Sequence, residues 1–438
     1  MQEILDAVRK YIDESEANKT WEAGKDFIPY AGAYFDSEEY VAAVESLLKG
    51  WLVMGMNGLK FERQFPPHFG KQYGVLTNSG SSSNLLMMAS MTSKRGYNFG
   101  KGTKVLMPIA GFPTTLNPTL QMGFEPVFLD IEVDTLNLDL ERAEDLIKQH
   151  DIKIITFAHV LGNPPNMDRV MELVKQYNLV LLEDCCDALG STYRGEKLGS
   201  YGEMASCSFY PAHHMTMGEG GFVATKTKEQ EVVVRSFREW GRGCYCVGPH
   251  ANKLIQGTCG KRFNNWIPTM PDEIFDHKFV YDEIGYNLKP IEVQCAMGMQ
   301  QLNKLDEIHA RRKRNHAQLF AIYEKYEEFF HLPRAQKHSD PSWFAFPLTI
   351  RQGAPFKRSE ICQFYEDHLI QTRPYFAGNI MLQPAYSHLM NPEDARDNFP
   401  VATRVMTDTF FHGASAVITP EQIEYIGQVV DEFMSQWV

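Results

Sequence analysis

The sequence contains no long hydrophobic run, no broad basic region and no apolar segment at its N-terminus. No apolar stretch reaches the roughly 18 residues of a transmembrane helix, so we predict that the protein does not span a membrane. The formal net charge is -12 and the densest basic run covers only residues 310–314, which predicts no nucleic-acid partner. We expect this run to lie on a solvated helix face. Residues 1–8 lack the apolar core of a signal peptide, so we predict a cytoplasmic protein.

Cysteine is scarce, with eight residues in 438. In a long cytoplasmic chain, thiols that group together are expected to ligate a metal or a cluster and not to form disulfides. Three of them do group, at Cys244, Cys246 and Cys259. The rest of the composition, 44% hydrophobic and 22% charged, is typical of a globular protein with one large core and a second, smaller domain.

Short apolar runs alternate with helical patterns between residues 70 and 230. This alternation predicts βαβ units around a largely parallel sheet, with strands at 104–108, 126–130, 152–157, 179–183 and 221–225 and helices at 140–150 and 167–177. A long helical pattern follows at 291–328, and we place the junction between two domains in its middle. We predict an N-terminal arm at 1–30, a large domain at 31–310, and a smaller C-terminal α/β domain at 311–438 that contains a strand at 344–350.

Three short motifs are expected at the carboxyl ends of the strands, where parallel sheets bind ligands. Residues 77–84 read TNSGSSSN before an apolar helical run, which places backbone N–H groups at a helix N-terminus, a natural anion site. Residues 181–190 read LLEDCCDALG and end a strand with carboxylates. Residues 208–221 read SFYPAHHMTMGEGG and hold the adjacent His213 and His214. Each motif alone is also compatible with an ordinary turn, a helix cap or a structural histidine.

Residues 208–221 resemble the Ser-Phe-x-x-x-Lys-x-x-x-x-Gly-Glu-Gly-Gly signature of the DegT/StrS sugar aminotransferases, with His213 in the lysine position. The resemblance covers about residues 28–390 and implies fold type I of the pyridoxal-phosphate-dependent transferases, an α/β fold like that of aspartate aminotransferase. An imidazole cannot anchor pyridoxal phosphate covalently, but it can remove a proton near pH 7. We therefore expect non-covalently held pyridoxamine phosphate, with His213 as the catalytic base. Only the register of the motif favours His213 over His214.

The same resemblance implies the contacts of the cofactor. Asp187 stands where the aminotransferases carry glutamine, as in the sugar 3-dehydratases of the family. Asn287 would reach the cofactor of a neighbouring subunit, which implies a homodimer with shared active sites. Arg373 and His277 are candidates for contacts with the sugar. The phosphate would be bound by Gly80, Ser81 and Ser208. Phe112 would stack on the face of the ring, and Asp184 would pair with the ring nitrogen.

Four cysteines resemble the ligands of an iron–sulfur branch of these dehydratases, namely Cys186, Cys244, Cys246 and Cys259. They are separated by 57, 1 and 12 residues, and we interpret the longer last spacing as an insertion of five residues in the loop 247–258. Four thiolates suit a [2Fe-2S] cluster, whereas a pair separated by one residue is unusual for structural zinc. Because Cys186 is two residues from Asp184, their Cα atoms lie within roughly 7 Å of each other. A cluster there would lie near the cofactor ring, which favours electron delivery.

The resemblance implies removal of the C3 hydroxyl from a nucleotide-linked 4-keto-6-deoxyhexose, CDP-linked in the resembled enzymes, in the biosynthesis of 3,6-dideoxysugars. Dehydration would be followed by one-electron reduction through the cluster, with a separate NAD(P)H-dependent flavin or iron–sulfur reductase as partner. Two alternatives remain open. A cluster-free, glutamate-dependent dehydratase of the GDP-4-keto-6-deoxymannose type would also use histidine. An inactive relative that binds sugar nucleotides would use the thiols for structural zinc.

Overall fold

Helices and strands alternate along the computed structural model, which describes residues 1–244, 246 and 254–437. The α-helices of this part are α1 (Gln2–Ala17), α2 (Ser37–Leu48), α3 (Met56–Gln64), α4 (Gly80–Ser90), α5 (Pro113–Gln121), α6 (Ala143–His150), α7 (Met167–Tyr177), α8 (Lys228–Arg238), α9 (Glu292–Asn303), α10 (Leu305–Tyr323), α11 (Arg358–Asp367), α12 (Pro392–Asn398), α13 (Pro400–Asp408) and α14 (Pro420–Met434). None of the helices in the described ranges is long and apolar enough to cross a membrane.

The strands belong to four sheets. They are β1 (Tyr73–Thr77), β2 (Lys104–Pro108), β3 (Glu125–Leu129), β4 (Ile154–Ala158), β5 (Val180–Asp184), β6 (Thr192–Tyr193), β7 (Glu196–Lys197), β8 (Met204–Ser208), β9 (Gly221–Thr225), β10 (Phe263–Asn264), β11 (Phe275–Asp276), β12 (Phe330–His331), β13 (Ser339–Asp340), β14 (Ala345–Ile350), β15 (Arg373–Pro374) and β16 (Thr409–Gly413).

The central sheet has seven strands in the order β1-β9-β8-β5-β4-β2-β3. The pairs from β8 to β3 are parallel, whereas β9 is antiparallel to both β1 and β8. All five residues of β5 are buried, as expected for a parallel strand with both faces covered. Leu181 packs into one apolar cluster and Leu182 into another, on opposite faces of the sheet. This architecture confirms the predicted fold class.

A second sheet has the order β12-β14-β16-β15, and its pairs are antiparallel. Its apolar core includes Phe346 and Phe410 together with Tyr323 of α10. The segment that precedes α2 is attached to this part of the fold, because Ile28 pairs with Ile370 in an isolated bridge. Helix α10 thus joins the second sheet to the chain that leaves the central one.

The predicted helical pattern at 291–328 is interrupted. It forms two helices, α9 and α10, which meet at Lys304. The Lys304 amide donates to the carbonyl of Gln301, and its ammonium group lies 2.7 Å from carboxylate oxygens of Asp36 and Glu39 at the start of α2. Lys304 is thus tied to the start of α2 at the point where α9 ends. The predicted strands lie within two residues of the observed ones, but the strand at 221–225 runs antiparallel to its neighbours.

Candidate active site

A cavity of about 810 Å³ opens at the carboxyl edge of the central sheet. Its volume lies in the range of about 300–1,000 Å³ that is usual for small-molecule sites. The facing wall comes from residues 373–386 and from Phe344, next to the second sheet. Four strands of the central sheet reach the cavity with their last residues, which are Pro108, Ala158, Asp184 and Ser208. The predicted motifs therefore meet where an open α/β sheet binds ligands.

The N-terminus of α4 forms a polar cradle in the cavity wall. Ser79 caps the helix, and its hydroxyl accepts a hydrogen bond from the Ser82 amide at 3.1 Å. A Cβ atom on Gly80 would lie 2.4 Å from Cβ of Ser208, so only glycine lets the helix approach β8 this closely. The first-turn amides of a helix have no acceptor within the helix and attract anions. The predicted phosphate contacts Gly80, Ser81 and Ser208 all line the cavity here.

The carboxylate of Asp184 lies at the end of β5 and is only 5% exposed. Its Oδ2 accepts hydrogen bonds from Asn84 Nδ2 at 2.8 Å and Thr115 Oγ1 at 2.9 Å. Its Oδ1 accepts from the Cys186 amide at 3.1 Å and the Ser206 hydroxyl at 3.2 Å. Four donors thus converge on one buried carboxylate and fix its orientation. Sequence reasoning missed Asn84, although it lies one helical turn beyond Gly80 and therefore on the same face of α4.

The imidazole of His213 lines the cavity beside Asp187. Its Nδ1 lies 3.4 Å from Oδ1 of Asp187, close enough for an electrostatic contact but without a hydrogen bond in the described part of the chain. The ring of Phe344 packs against the imidazole, with 5.3 Å between the ring centroids. The two polar side chains are 16% and 11% exposed. The site thus places a sheltered imidazole next to a carboxylate that can orient it.

Arg312 of α10 fixes the backbone around His213 and was also missed. Its guanidinium is buried and donates to the carbonyls of His213 and Phe344 at 2.9 Å each, and to those of the residues just before them at 3.3 Å. Burial lowers the pKa of Arg312 to about 10, although the carboxylate of Asp187 opposes this shift. The prediction that residues 310–314 lie on a solvated helix face is therefore wrong at Arg312. Its side chain points inward, toward these four carbonyl groups.

His214 has a different environment from His213. It is buried, and its Nε2 donates to the carbonyl of Ser342 at 2.7 Å. Its ring centroid lies 5.7 Å from that of His309. Burial holds the pKa of His214 well below its usual value, and nearby Arg312 adds to the effect. The side chain does not line the cavity, so the geometry favours His213 as the candidate base.

The other predicted contacts are divided between the cavity and the surface. Phe112 lines the cavity just before α5, with 52% of its surface exposed, and Arg373 lines the cavity from β15. Asn287 is exposed, lies outside the cavity lining and accepts a hydrogen bond from Lys289 at 2.9 Å. His277 also lies outside and stacks on Trp266, with 3.9 Å between the ring centroids.

Cys186 lies in the cavity wall, separated from the other three predicted cluster ligands along the chain. Burial, and then the neighbouring Asp184 carboxylate, raise the pKa of the Cys186 thiol well above its usual value. Among the residues that the structure describes, no three of the four sulfurs lie within 4.8 Å of one another. Residues 247–253 of the loop 247–258, in which we place the insertion, lie outside the described residues.

Two of the predicted ligands flank Gly257. A Cβ atom there would lie 3.7 Å from Sγ of Cys246 and 3.9 Å from Sγ of Cys259. Burial alone would raise the pKa of Cys246, but the Thr258 hydroxyl, which donates to its sulfur at 2.8 Å, contributes to a net lowering. Burial raises the pKa of Cys244, which also interacts with Cys246. The sulfurs of Cys246 and Cys259 thus lie on either side of Gly257, and Cys244 interacts with Cys246.

Another group of potential ligands, His159, Glu183 and Cys185, is fully buried within 4.8 Å. The Glu183 carboxylate already lies 2.9 Å from His159 Nε2 and accepts from the amides of Gly199 and Gly202 at 2.8 and 2.6 Å. Its acceptor positions are thus used within the protein, and we interpret this group as a structural hydrogen-bond network.

Comparison with known proteins agrees with this geometry. The sequence matches the DegT/DnrJ/EryC1/StrS aminotransferase family over residues 34–431. It is 39% identical to the lipopolysaccharide biosynthesis protein RfbH of Salmonella typhimurium over 434 residues, 99% of this chain and 97% of that protein. It is 38% identical to dTDP-4-dehydro-2,6-dideoxy-D-glucose 3-dehydratase of Saccharopolyspora spinosa over 436 residues, 99% of this chain and 92% of that enzyme.

Solved structures resemble the whole fold. A variant of GDP-4-keto-6-deoxymannose-3-dehydratase with bound GDP-perosamine gives a TM-score of 0.79 at 26% identity, covering 92% of this chain and all of that one. The Escherichia coli GDP-4-keto-6-deoxy-D-mannose-3-dehydratase with bound hydrated PLP gives 0.77 at 25% identity, covering 92% and 99%. The fold is that of the type I pyridoxal-phosphate-dependent transferases. Within this class, the chain belongs to the DegT/DnrJ/EryC1/StrS aminotransferase family, which confirms the family predicted from its motifs.

Proposed function

We propose that the protein is a sugar-nucleotide 3-dehydratase that binds pyridoxamine phosphate and removes the C3 hydroxyl of a CDP-linked 4-keto-6-deoxyhexose. The position of His213 carries the proposal, because an imidazole lines the cavity at the position where the family signature has its lysine. Relatives named as 3-dehydratases and a relative named for lipopolysaccharide biosynthesis support it. CDP follows the iron–sulfur dehydratases that the sequence motifs resemble, whereas the 3-dehydratases compared above are named for dTDP- and GDP-linked sugars.

The residues of the cavity wall fit pyridoxamine phosphate. The cradle that excludes a Cβ atom at Gly80 would hold the phosphate together with Ser81 and Ser208. Phe112 would stack on the ring, and the buried carboxylate of Asp184 would pair with the ring nitrogen. When bound, the cofactor supplies an amine for the C4 ketone and a ring that takes up electron density.

In this proposal His213 moves the proton at carbon C4' of the cofactor. Asp187, next to Nδ1, orients the ring and supports the protonated imidazole, which leaves Nε2 as the base. Phe344 limits the access of water to the imidazole. A lysine in this position would instead anchor the cofactor covalently, as in transamination.

The chemistry of the four thiols fits a [2Fe-2S] cluster, which would be held by Cys186, Cys244, Cys246 and Cys259 and would deliver single electrons. Cys186 supports this assignment because it lies in the cavity wall next to Asp184, where electrons would be needed. The interaction of the Cys246 sulfur with the Thr258 hydroxyl favours a thiolate at this ligand. The electrons would come from a separate NAD(P)H-dependent flavin or iron–sulfur reductase.

We further propose a homodimer in which Asn287 reaches the cofactor of the other subunit. Its exposed side chain outside the cavity supports this role. Exposed Trp51, Leu52 and Val53 form an apolar surface with exposed Ile291, to which Val53 is bridged, and such a patch is typical of an interface. The proposed division into arm (1–30), large domain (31–310) and small domain (311–438) follows the two main sheets.

Iron and acid-labile sulfide, determined in protein purified without oxygen, test the cluster. We expect about two of each per chain, a clear loss of both in Cys246→Ser, and unchanged content in the control Cys362→Ser, whose cysteine lies in α11. Dehydration of the CDP-linked ketosugar is expected to survive in Cys246→Ser while net reduction stops. Folded protein that binds pyridoxamine phosphate without iron or sulfide would favour the glutamate-dependent dehydratase. Bound zinc without turnover would favour the inactive relative.

A further inference from the structure

The charges of the cavity wall are unevenly distributed. Asp184 and Asp187 contribute carboxylates from the side of the central sheet. Within the described part of the chain, Arg373 is the only lysine or arginine that lines the cavity, and it belongs to the second sheet. A cation on the wall that faces the cofactor cradle is suited to an anionic group of a second ligand.

The guanidinium of Arg373 has most of its donors free. One nitrogen, Nη1, donates to the carbonyl of Thr372 at 2.7 Å. In the described residues no carboxylate lies within 4.0 Å of the guanidinium, and it makes no other hydrogen bond. Since arginine carries five N–H donors in a planar fork, at least one pair remains available for two oxygens of one ligand.

Neighbouring residues hold the guanidinium at the cavity wall. The backbone of Arg373 pairs with Phe411 in the antiparallel register of β15 and β16. The guanidinium lies over the ring of Tyr30, with 4.7 Å between its carbon Cζ and the ring centroid. The Tyr30 hydroxyl makes no hydrogen bond within the described ranges, and Tyr30 itself lines the cavity. The N–H groups of Arg373 and the hydroxyl of Tyr30 therefore line the same cavity.

The geometry points to Arg373 and Tyr30 as the subsite that binds the diphosphate of the nucleotide-linked substrate. This inference rests on the proposed function and deepens it, because it names the residues that recognise the charged part of that substrate. Arginine binds phosphate oxygens in pairs, and the tyrosine ring keeps the planar fork in place. The lining next to Arg373 includes Pro374 and Phe376. These apolar side chains carry no charge that would bind or repel the anion.

Equilibrium binding measures this subsite without requiring turnover. CDP, inorganic pyrophosphate and cytidine are titrated into protein saturated with pyridoxamine phosphate, using the wild type, Arg373→Gln, Arg373→Lys and the control Arg396→Gln. Arg396 is an exposed arginine of α12 outside the cavity. The absorption spectrum and affinity of pyridoxamine phosphate are recorded for each variant, and they show whether the cofactor part of the cavity is intact.

We expect Arg373→Gln to weaken binding of CDP and pyrophosphate about 10- to 100-fold, because a bidentate, charge-assisted contact is lost. Arg373→Lys should retain part of the affinity, since it keeps the charge but not the planar fork. Binding of cytidine and of the cofactor should not change, and Arg396→Gln should match the wild type.

Unchanged CDP affinity in Arg373→Gln would overturn the inference. So would a loss confined to L-glutamate, because Arg373 would then bind the carboxylate of an amino donor. If the wild type does not bind CDP, GDP and dTDP are titrated in the same way, and failure of all three also overturns it. A failure of the proposed function would be seen in a separate activity assay, in which wild-type protein that holds its cofactor would not turn over the ketosugar.

Discussion

Asp184→Asn is the substitution whose effect follows most directly from the contacts of the site. The change replaces one acceptor oxygen with an NH₂ group where four donors converge at 2.8 to 3.2 Å. The rigid Cys186 amide keeps the remaining oxygen on its own side, so the NH₂ group faces Asn84 and Thr115. Hydrogen bonds to a charged group contribute about 1.5–3 kcal/mol each and neutral ones about 0.5–1.5 kcal/mol, while loss of the buried charge partly offsets the difference.

We therefore expect Asp184→Asn to lower the free energy of unfolding by about 1–3 kcal/mol. Loss of a charged partner for the ring nitrogen should weaken binding of pyridoxamine phosphate by about 10- to 100-fold, since 1.4 kcal/mol corresponds to about a tenfold change. Urea unfolding of the cofactor-free protein and spectroscopic titration with pyridoxamine phosphate measure the two effects separately. The reference variant is Thr115→Val, which removes one donor and keeps the carboxylate.

Thr115→Val should lose no more than about 1.5 kcal/mol of stability and should bind the cofactor nearly as the wild type does. The reasoning would be refuted if Asp184→Asn bound pyridoxamine phosphate with unchanged affinity and spectrum. Equal losses of affinity in both variants would also contradict it, because the effect would then come from the packing of the wall and not from the charge of Asp184.

Three further predictions concern other parts of the molecule. His213→Asn should keep bound pyridoxamine phosphate but stop exchange of its C4' proton with deuterated solvent, measured by NMR; normal exchange would exclude His213 as the base. Gly80→Ala should weaken cofactor binding by crowding β8, whereas Gly100→Ala, with no atom within 4 Å of the new Cβ, should not. Burial lowers the pKa of His309 and of His316 to about 3. Between about pH 3 and pH 6.5 these histidines are therefore protonated in the unfolded chain but neutral in the folded protein. Stability should therefore be complete above pH 6.5 and fall by about 1.4 kcal/mol per pH unit for each histidine down to about pH 3; urea unfolding at pH 7.5 and 5.5 that gave equal stabilities would contradict this.

The sheet could be predicted from the sequence because each buried strand is a short apolar run between turns and helices. The break at Lys304 could not, because the helical pattern continues across it and the residues to which Lys304 is ion-paired lie more than 260 positions away. Arg312 was misassigned for a similar reason. It stands in a run of basic residues, and although its helical spacing from Ile308 and Leu319 puts it on the buried face of α10, only the tertiary fold brings four carbonyl groups to it.

The choice between two adjacent histidines illustrates the limit of sequence reasoning at the site. His213 and His214 have the same chemistry, and residues this close in a turn point in different directions that depend on the backbone. In the folded chain the carbonyl of Ser342 binds His214, whereas His213 lies beside Asp187. The acceptor at Ser342 is 128 residues away, so no local pattern could have identified it.

The replacements at His213 and Asp187 make physical sense as a pair. A lysine that anchors a cofactor holds it by a covalent bond, whereas an imidazole cannot, so in the proposed function the cofactor would depend on the cradle at Gly80 and on the carboxylate of Asp184 for its position. An imidazole also has two distinct nitrogens, and in the proposed function the carboxylate of Asp187, 3.4 Å from Nδ1, would leave Nε2 to act as the base. Because Arg312 donates to the carbonyl of His213, the proposed base is held by its backbone as well as by its ring contacts. In the proposed function, the polar contacts around the cavity would thus compensate for the missing covalent anchor, and the carboxylate at position 187 would orient the histidine that replaces the lysine.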